Sequence, residues 1–127
     1  FRQLVELREE NWTIFSGMDE QCLFAAMSGA HGNVGSTLNF MPGVYREIRK
    51  SAEEGNYHYS MELQNRANKV TRIMQSYGFE SSIKPVMRKI GFDFGKPCLP
   101  NLPLLEKDLH GLYNELEKTD FLELVQM

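Results

Sequence analysis

The sequence predicts an α/β fold in which two short strands, each leading into a helix, are followed by a mainly helical second half. Three observations carry this. β-prone or glycine-rich runs end in turns at residues 12–17 and 31–36, apolar residues recur every three or four positions between Val44 and Tyr77, and glycine or proline stands at the boundaries. The 127 residues, 42% hydrophobic and 24% charged, suffice for one compact domain with a single core.

Taken in order, Leu4, Val5 and Leu7 among Arg2, Glu6, Arg8, Glu9 and Glu10 read as the last turns of an amphipathic helix ending before Asn11. Trp12, Thr13, Ile14 and Phe15 form a buried strand closed by Ser16 and Gly17. Asp19 and Glu20 then open a helix, well placed against its positive end, with Leu23, Ala26, Met27 and Ala30 as its apolar face. Residues 31–36 are too glycine-rich for a helix and are expected to form a brief second strand with a tight exit turn.

Pro42 suits the first turn of the next helix, where Val44, Ile48 and Ala52 recur every four residues until Gly55 ends it. The cleanest pattern follows, with Tyr59, Leu63, Ala67, Val70, Met74 and Tyr77 on one stripe and Gly78 as the stop. Ser81 or Ser82 caps a shorter helix carrying Ile83, Val86, Met87 and Ile90, ended by Gly91. Pro97, Pro100 and Pro103 make residues 95–104 an ordered loop. A last helix carries Leu105, Leu109, Leu112 and Leu116, and the tail from Asp120 either packs or frays. Two buried parallel strands need neighbours at both edges, so this chain is expected to lack most of a barrel.

Composition removes several function classes. The net charge is −3, with 14 Lys and Arg scattered among 17 acids, so nucleic acid is an unexpected partner. Cys22 and Cys98 have neither metal-ligand spacing nor the density of a disulfide framework, and two reduced thiols in a cytoplasmic protein are expected. No apolar run reaches the ~18 residues that span a bilayer, and the first residues lack the pattern of a signal peptide. A start at Phe1 inside an apparent helix suggests that upstream polypeptide is absent from this sequence.

Chemistry concentrates at two junctions. Gly17, Met18, Asp19 and Glu20 sit where a strand ends and a helix starts, the place that faces the active site in β/α barrels. Gly17 lets a ligand approach the backbone, and the two carboxylates are suited to several hydroxyls of a polyol. Alternatively, Asp19 and Glu20 only cap the helix. As neighbours in sequence they point in different directions, so they are not an acid/base pair. The run from Gly32 to Thr37 offers backbone donors and hydroxyls after the second strand, or needs glycine only for its torsions. It is neither a dinucleotide fingerprint nor a P-loop. His31, His58 and His110 form no triad or metal set, and Lys84 reads as an ordinary helix residue despite its apolar neighbours.

Phe15, Ser16, Gly17, Met18, Asp19 and Glu20, a short helix, then Gly35, Ser36, Thr37, Leu38 and Asn39 resemble the late strands of the N-acetylneuraminate lyase (sialic acid aldolase) family, with its G-x-D-E turn after strand seven and G-S-T-x-N turn after strand eight. The resemblance runs through the helical second half. It implies the C-terminal portion of a (β/α)8 TIM barrel, with residues 1–55 the last β/α units and residues 56–127 a C-terminal helical extension of the same domain. It further implies a homotetramer that cleaves sialic acid to N-acetylmannosamine and pyruvate through a lysine Schiff base, with no cofactor and no metal. By position, Gly17 would present backbone to the sugar, Asp19 and Glu20 would bind hydroxyls of its tail, and Ser36 would close the same wall. Met18 stands where some members have an aromatic residue. The Schiff-base lysine and catalytic tyrosine would lie on strands upstream of Phe1, so no catalytic residue is expected in this chain, which alone should be inactive. Dihydrodipicolinate synthases of the same superfamily usually carry a second Asp in place of Glu20 and lack the Gly35, Ser36, Thr37 run. The competing expectations are another Schiff-base 2-keto acid aldolase or synthase, and a non-catalytic half-barrel that pairs through its strand edges.

Overall fold

The computed structural model describes all 127 residues, Phe1–Met127. Helix α1 (Arg2–Leu7) lies on the surface with no buried residue, Val5 resting near Gly29. Strands β1 (Phe15–Ser16) and β2 (Gly32–Asn33) pair in parallel, Phe15 opposite Gly32 and Ser16 opposite Asn33. They are the whole sheet, so β1 has a strand neighbour on one side only. Between them a 3-10 turn, Asp19–Gln21, runs into α2 (Cys22–Met27).

Several sequence expectations are corrected here. Strand pairing begins at Phe15 rather than Trp12, because β2 offers partners to two residues only. Ile14 is buried, but Trp12 and Phe15 are 46% and 55% exposed, so the strand is not buried on both faces. Asp19 and Glu20 open a 3-10 turn and not an α-helix. In α2 the inward residues are Cys22, Leu23 and Ala25, while Ala26 is half-buried and Met27 points out, because the face that packs on α3 and α4 is turned toward Cys22 and Ala25.

Beyond β2 a second 3-10 turn, Thr37–Asn39, leads to α3 (Pro42–Glu53), with Pro42 at the first helical position where its missing N–H costs nothing. Then come α4 (Tyr57–Ser76), α5 (Phe79–Lys89), α6 (Glu106–Glu117) and α7 (Phe121–Gln126). Asn56 caps α4 by accepting the Tyr59 N–H, and Gly55 and Gly78 adopt φ of +80° and +88° at the exits of α3 and α4. Neither Ser81 nor Ser82 caps α5. Ser82 is buried inside that helix, and its hydroxyl donates to the carbonyls of Gly78 and Met74, tying α5 to the end of α4. Leu105 is 64% exposed and precedes α6, whose buried residues are Leu112 and Leu116. The tail packs, burying Phe121 and Leu124.

The core lies where α3 and α4 meet and where α5, α6 and α7 close over α4 and α3. Leu63, Ala67, Val70 and Met74 form its spine, all at 0% exposure. Full burial of a side chain such as Leu63 contributes about 1.5–3 kcal/mol. No helix is long and apolar enough to cross a membrane.

Candidate functional site

A recess of about 570 Å³ opens at the carboxyl ends of the two parallel strands. Gly17, Asp19 and Glu20 line it from the first junction, and Val34, Gly35, Ser36 and Asn39 from the second. The end of α4 and the start of α5 add Gln75 and Phe79. The four residues singled out in the sequence, Gly17, Asp19, Glu20 and Ser36, therefore border one cavity. Met18 does not join them; it is 52% exposed and faces a separate hollow beside Phe1 and Phe24.

The two carboxylates part company, as neighbouring positions must. Asp19 turns inward and is 6% exposed. Its Oδ2 accepts the Thr37 N–H at 2.9 Å and the Thr37 hydroxyl at 2.6 Å. Because a carboxylate only accepts, the Thr37 hydrogen is committed to Asp19, and Tyr45 must donate its own hydroxyl to Thr37 Oγ1 at 2.7 Å. Asp19 thus caps the turn after β2 rather than its own helix, joining the two junctions. Its Oδ1 is buried and has no partner. Burial, opposed in part by the Thr37 hydrogen bond, raises the Tyr45 phenol well above its ordinary value, so Tyr45 stays a donor.

Glu20 points the other way and is half-buried, its Oε1 accepting from Gln75 Nε2 at 2.9 Å. Ser36 is half-buried, and its carbonyl accepts from Asn39 Nδ2 at 2.9 Å while its hydroxyl does not cap the turn. None of Gly17, Gly32 and Gly35 has a positive φ, so torsion explains none of them, and contact explains only Gly32 and Gly35. A Cβ at Gly35 would fall 1.5 Å from Asp19 Oδ1, and one at Gly32 would fall 2.8 Å from the Phe15 ring. A Cβ at Gly17 would meet nothing closer than the Val34 carbonyl at 3.9 Å, so the fold does not require glycine there.

Sequence reasoning missed the polar face of α4. Ser60, Gln64, Asn68, Thr71 and Gln75 fall at helical spacing beside the apolar stripe. Gln64, 1% exposed, accepts the Leu23 N–H and donates to the Asp19 carbonyl, and Asn68 Nδ2 donates to the Glu20 carbonyl at 3.1 Å. That run of amides was the available signal. Below the recess, Cys22 donates to Asn33 Oδ1, and burial pushes its thiol up to about 11. Arg49, partly offsetting that rise, donates to Asn33 Oδ1 and to the Ala30 carbonyl.

The remaining reactive side chains lie elsewhere. His31 Nδ1 accepts the Ile14 N–H, His110 contacts the Glu106 carbonyl, and His58 is exposed on α4. Lys84 is tied to the carbonyls of Phe94 and Lys96, and no lysine lines the recess. No group of three His, Cys, Asp or Glu side chains is placed to hold a metal ion.

A parallel β–α–β unit with a polar recess at its strand ends, followed by stacked helices, places this molecule in the β/α class, where ligands sit at the carboxyl ends of the strands. The chain belongs to the dihydrodipicolinate synthetase family, whose model matches residues 1–119. It is 34% identical over 98 residues to the N-acetylneuraminate lyase of Danio rerio, covering 76% of this chain and 32% of that protein. The structure of N-acetylneuraminate lyase from Fusobacterium nucleatum complexed with pyruvate superposes with a TM-score of 0.84 at 25% identity, over 94% of this chain and 41% of that one. The 2-keto-3-deoxygluconate aldolase of Sulfolobus sulfataricus in complex with D-KDPG superposes with a TM-score of 0.81 at 28% identity, over 91% and 40%. The chain spans about a third of the length of the curated relatives it matches, 32% and 37%.

Proposed function

We propose that this chain is the portion of a Schiff-base aldolase that carries the last two β/α units, strands seven and eight, with the helical extension behind them. Its recess then binds the hydroxylated tail of a 2-keto sugar acid, with N-acetylneuraminate the leading substrate. The observation that carries the reading is the meeting of Gly17, Asp19, Glu20 and Ser36 at the carboxyl ends of two parallel strands. In a β/α barrel that end is where substrate sits.

The chemistry fits a polyol. Glu20 keeps one oxygen for a substrate hydroxyl and Gly17 leaves its backbone open to close approach, while Asp19, whose Oδ1 is buried against Gly35, holds the turn at Thr37 that forms the opposite wall. These groups hold the part of the substrate that does not react. Their work is to place the scissile bond against an amine contributed from outside this chain. With no lysine at the recess, this chain alone is expected to be inactive, since no covalent iminium can form there.

Identity to the 2-keto-3-deoxygluconate aldolases supports a second substrate class. The lining contains two carboxylates and no Lys or Arg, which disfavours a phosphorylated tail; charge does not separate N-acetylneuraminate from unphosphorylated 2-keto-3-deoxygluconate. The test is pyruvate release by the full-length protein from N-acetylneuraminate, 2-keto-3-deoxygluconate and its 6-phosphate. Turnover of N-acetylneuraminate, with the phosphate ester poorest, supports the reading. Preference for the phosphate ester, or turnover of none of them, overturns it. Pyruvate trapped by borohydride on the 127-residue chain would refute its expected inactivity.

A further inference from the structure

We propose that Gln75 is a positioning residue for Glu20, so that the helical extension, and not the strand turns alone, sets the preference for a hydroxylated tail. This rests on reading the recess as a sugar-tail site. Gln75 lies 55 residues from Glu20, yet its Nε2 donates to Glu20 Oε1 at 2.9 Å, and both side chains line the recess. The same helix holds the other end of Glu20, because Asn68 Nδ2 donates to its carbonyl at 3.1 Å. One helix therefore fixes both the backbone and the carboxylate of that residue.

The choice of an amide matters physically. A lysine or arginine at this place would neutralise the carboxylate and compete with substrate hydroxyls for its oxygens. An amide donates one hydrogen bond, restrains a flexible side chain and leaves the negative charge and Oε2 available. Gln75 is also exposed, in the last turn of α4, so it is not part of the packing that holds the fold.

The experiment compares Gln75→Ala, Glu20→Ala and the double variant in the full-length protein. The substrates are N-acetylneuraminate and an analogue lacking the hydroxylated tail. Gln75→Ala is expected to raise KM for N-acetylneuraminate roughly fivefold, about the worth of one hydrogen bond, with kcat nearly unchanged. It should leave the truncated analogue unaffected and add nothing in the Glu20→Ala background. A silent Gln75→Ala beside a damaging Glu20→Ala overturns this inference alone, as does an equal loss in both backgrounds or on both substrates. A silent Glu20→Ala, or a protein that does not turn over N-acetylneuraminate, overturns the sugar-tail reading and this inference with it.

Discussion

Large apolar side chains are exposed more often in residues 1–34 than in residues 35–127. Nine of the seventeen exposed large apolar residues, from Phe1 to Val34, lie before Gly35, whereas Cys22 and Leu23 are the only members of the 18-residue core that precede Phe40. The difference follows from how each element satisfies its backbone. A helix closes its hydrogen bonds within its own segment and needs only one face covered, so α3 to α7 can pack on one another. A buried strand needs partners on both edges and cover on both faces, and β1 has one partner.

The contrast can be broken most easily in the helical body. Leu63→Ala, at a site with 0% exposure, should destabilise the chain by about 2–5 kcal/mol in urea unfolding. A loss under 1 kcal/mol would mean that the helices are not the stable part. Next in size is Gly35→Ala, whose methyl would displace the Asp19 carboxylate and disturb its bonds to Thr37, at a cost of about 1–3 kcal/mol. Gly17→Ala is the matched control and should leave the melting temperature unchanged.

Alkaline pH probes the region between the two. The Cys22 thiol is raised from 9.0 to about 11, mainly by burial, so above pH 9 the unfolded chain loses this proton before the folded one. Stability from this group is complete below pH 9.0 and falls as pH rises to about 11, by roughly 3 kcal/mol at most. Tyr45 adds a loss of the same sign at higher pH. Cys22→Ala should make the decline between pH 9 and 11 shallower, measured by urea unfolding across that range, and an unchanged slope would contradict the burial of the thiol.

The smallest effect is expected at Phe24, which is 53% exposed on α2. Phe24→Ser should shift the stability of the 127-residue chain by less than about 0.5 kcal/mol. If the proposed reading holds, the same substitution in a full-length barrel should cost several times more, because the other β/α units would cover that face. Equal small effects in both would sharpen the case for a half-barrel that stands alone.

Much of the candidate site was legible because turn chemistry is local. Gly17 before two acids and the Gly35, Ser36, Thr37 run each mark a strand exit on their own residues, and both exits border the recess. Less legible was what each side chain does there. Asp19 looked like a helix cap and instead caps the turn 18 residues away, and Thr37 and Tyr45 behind it carried no motif of their own. Gln64, Asn68 and Gln75 were overlooked because the apolar stripe beside them accounted for α4 by itself.

The sequence alone determined the helices up to α6, the exits at Gly55 and Gly78, and the two short strands, because periodicity and glycine act over one or two turns of chain, whereas α7 was left open. Tertiary structure alone decided that strand pairing is limited to two residues, that Asp19 turns inward, and that Gln75 reaches Glu20 across 55 residues. Those outcomes depend on which distant groups compete for the same hydrogen bonds, and no local pattern records that competition.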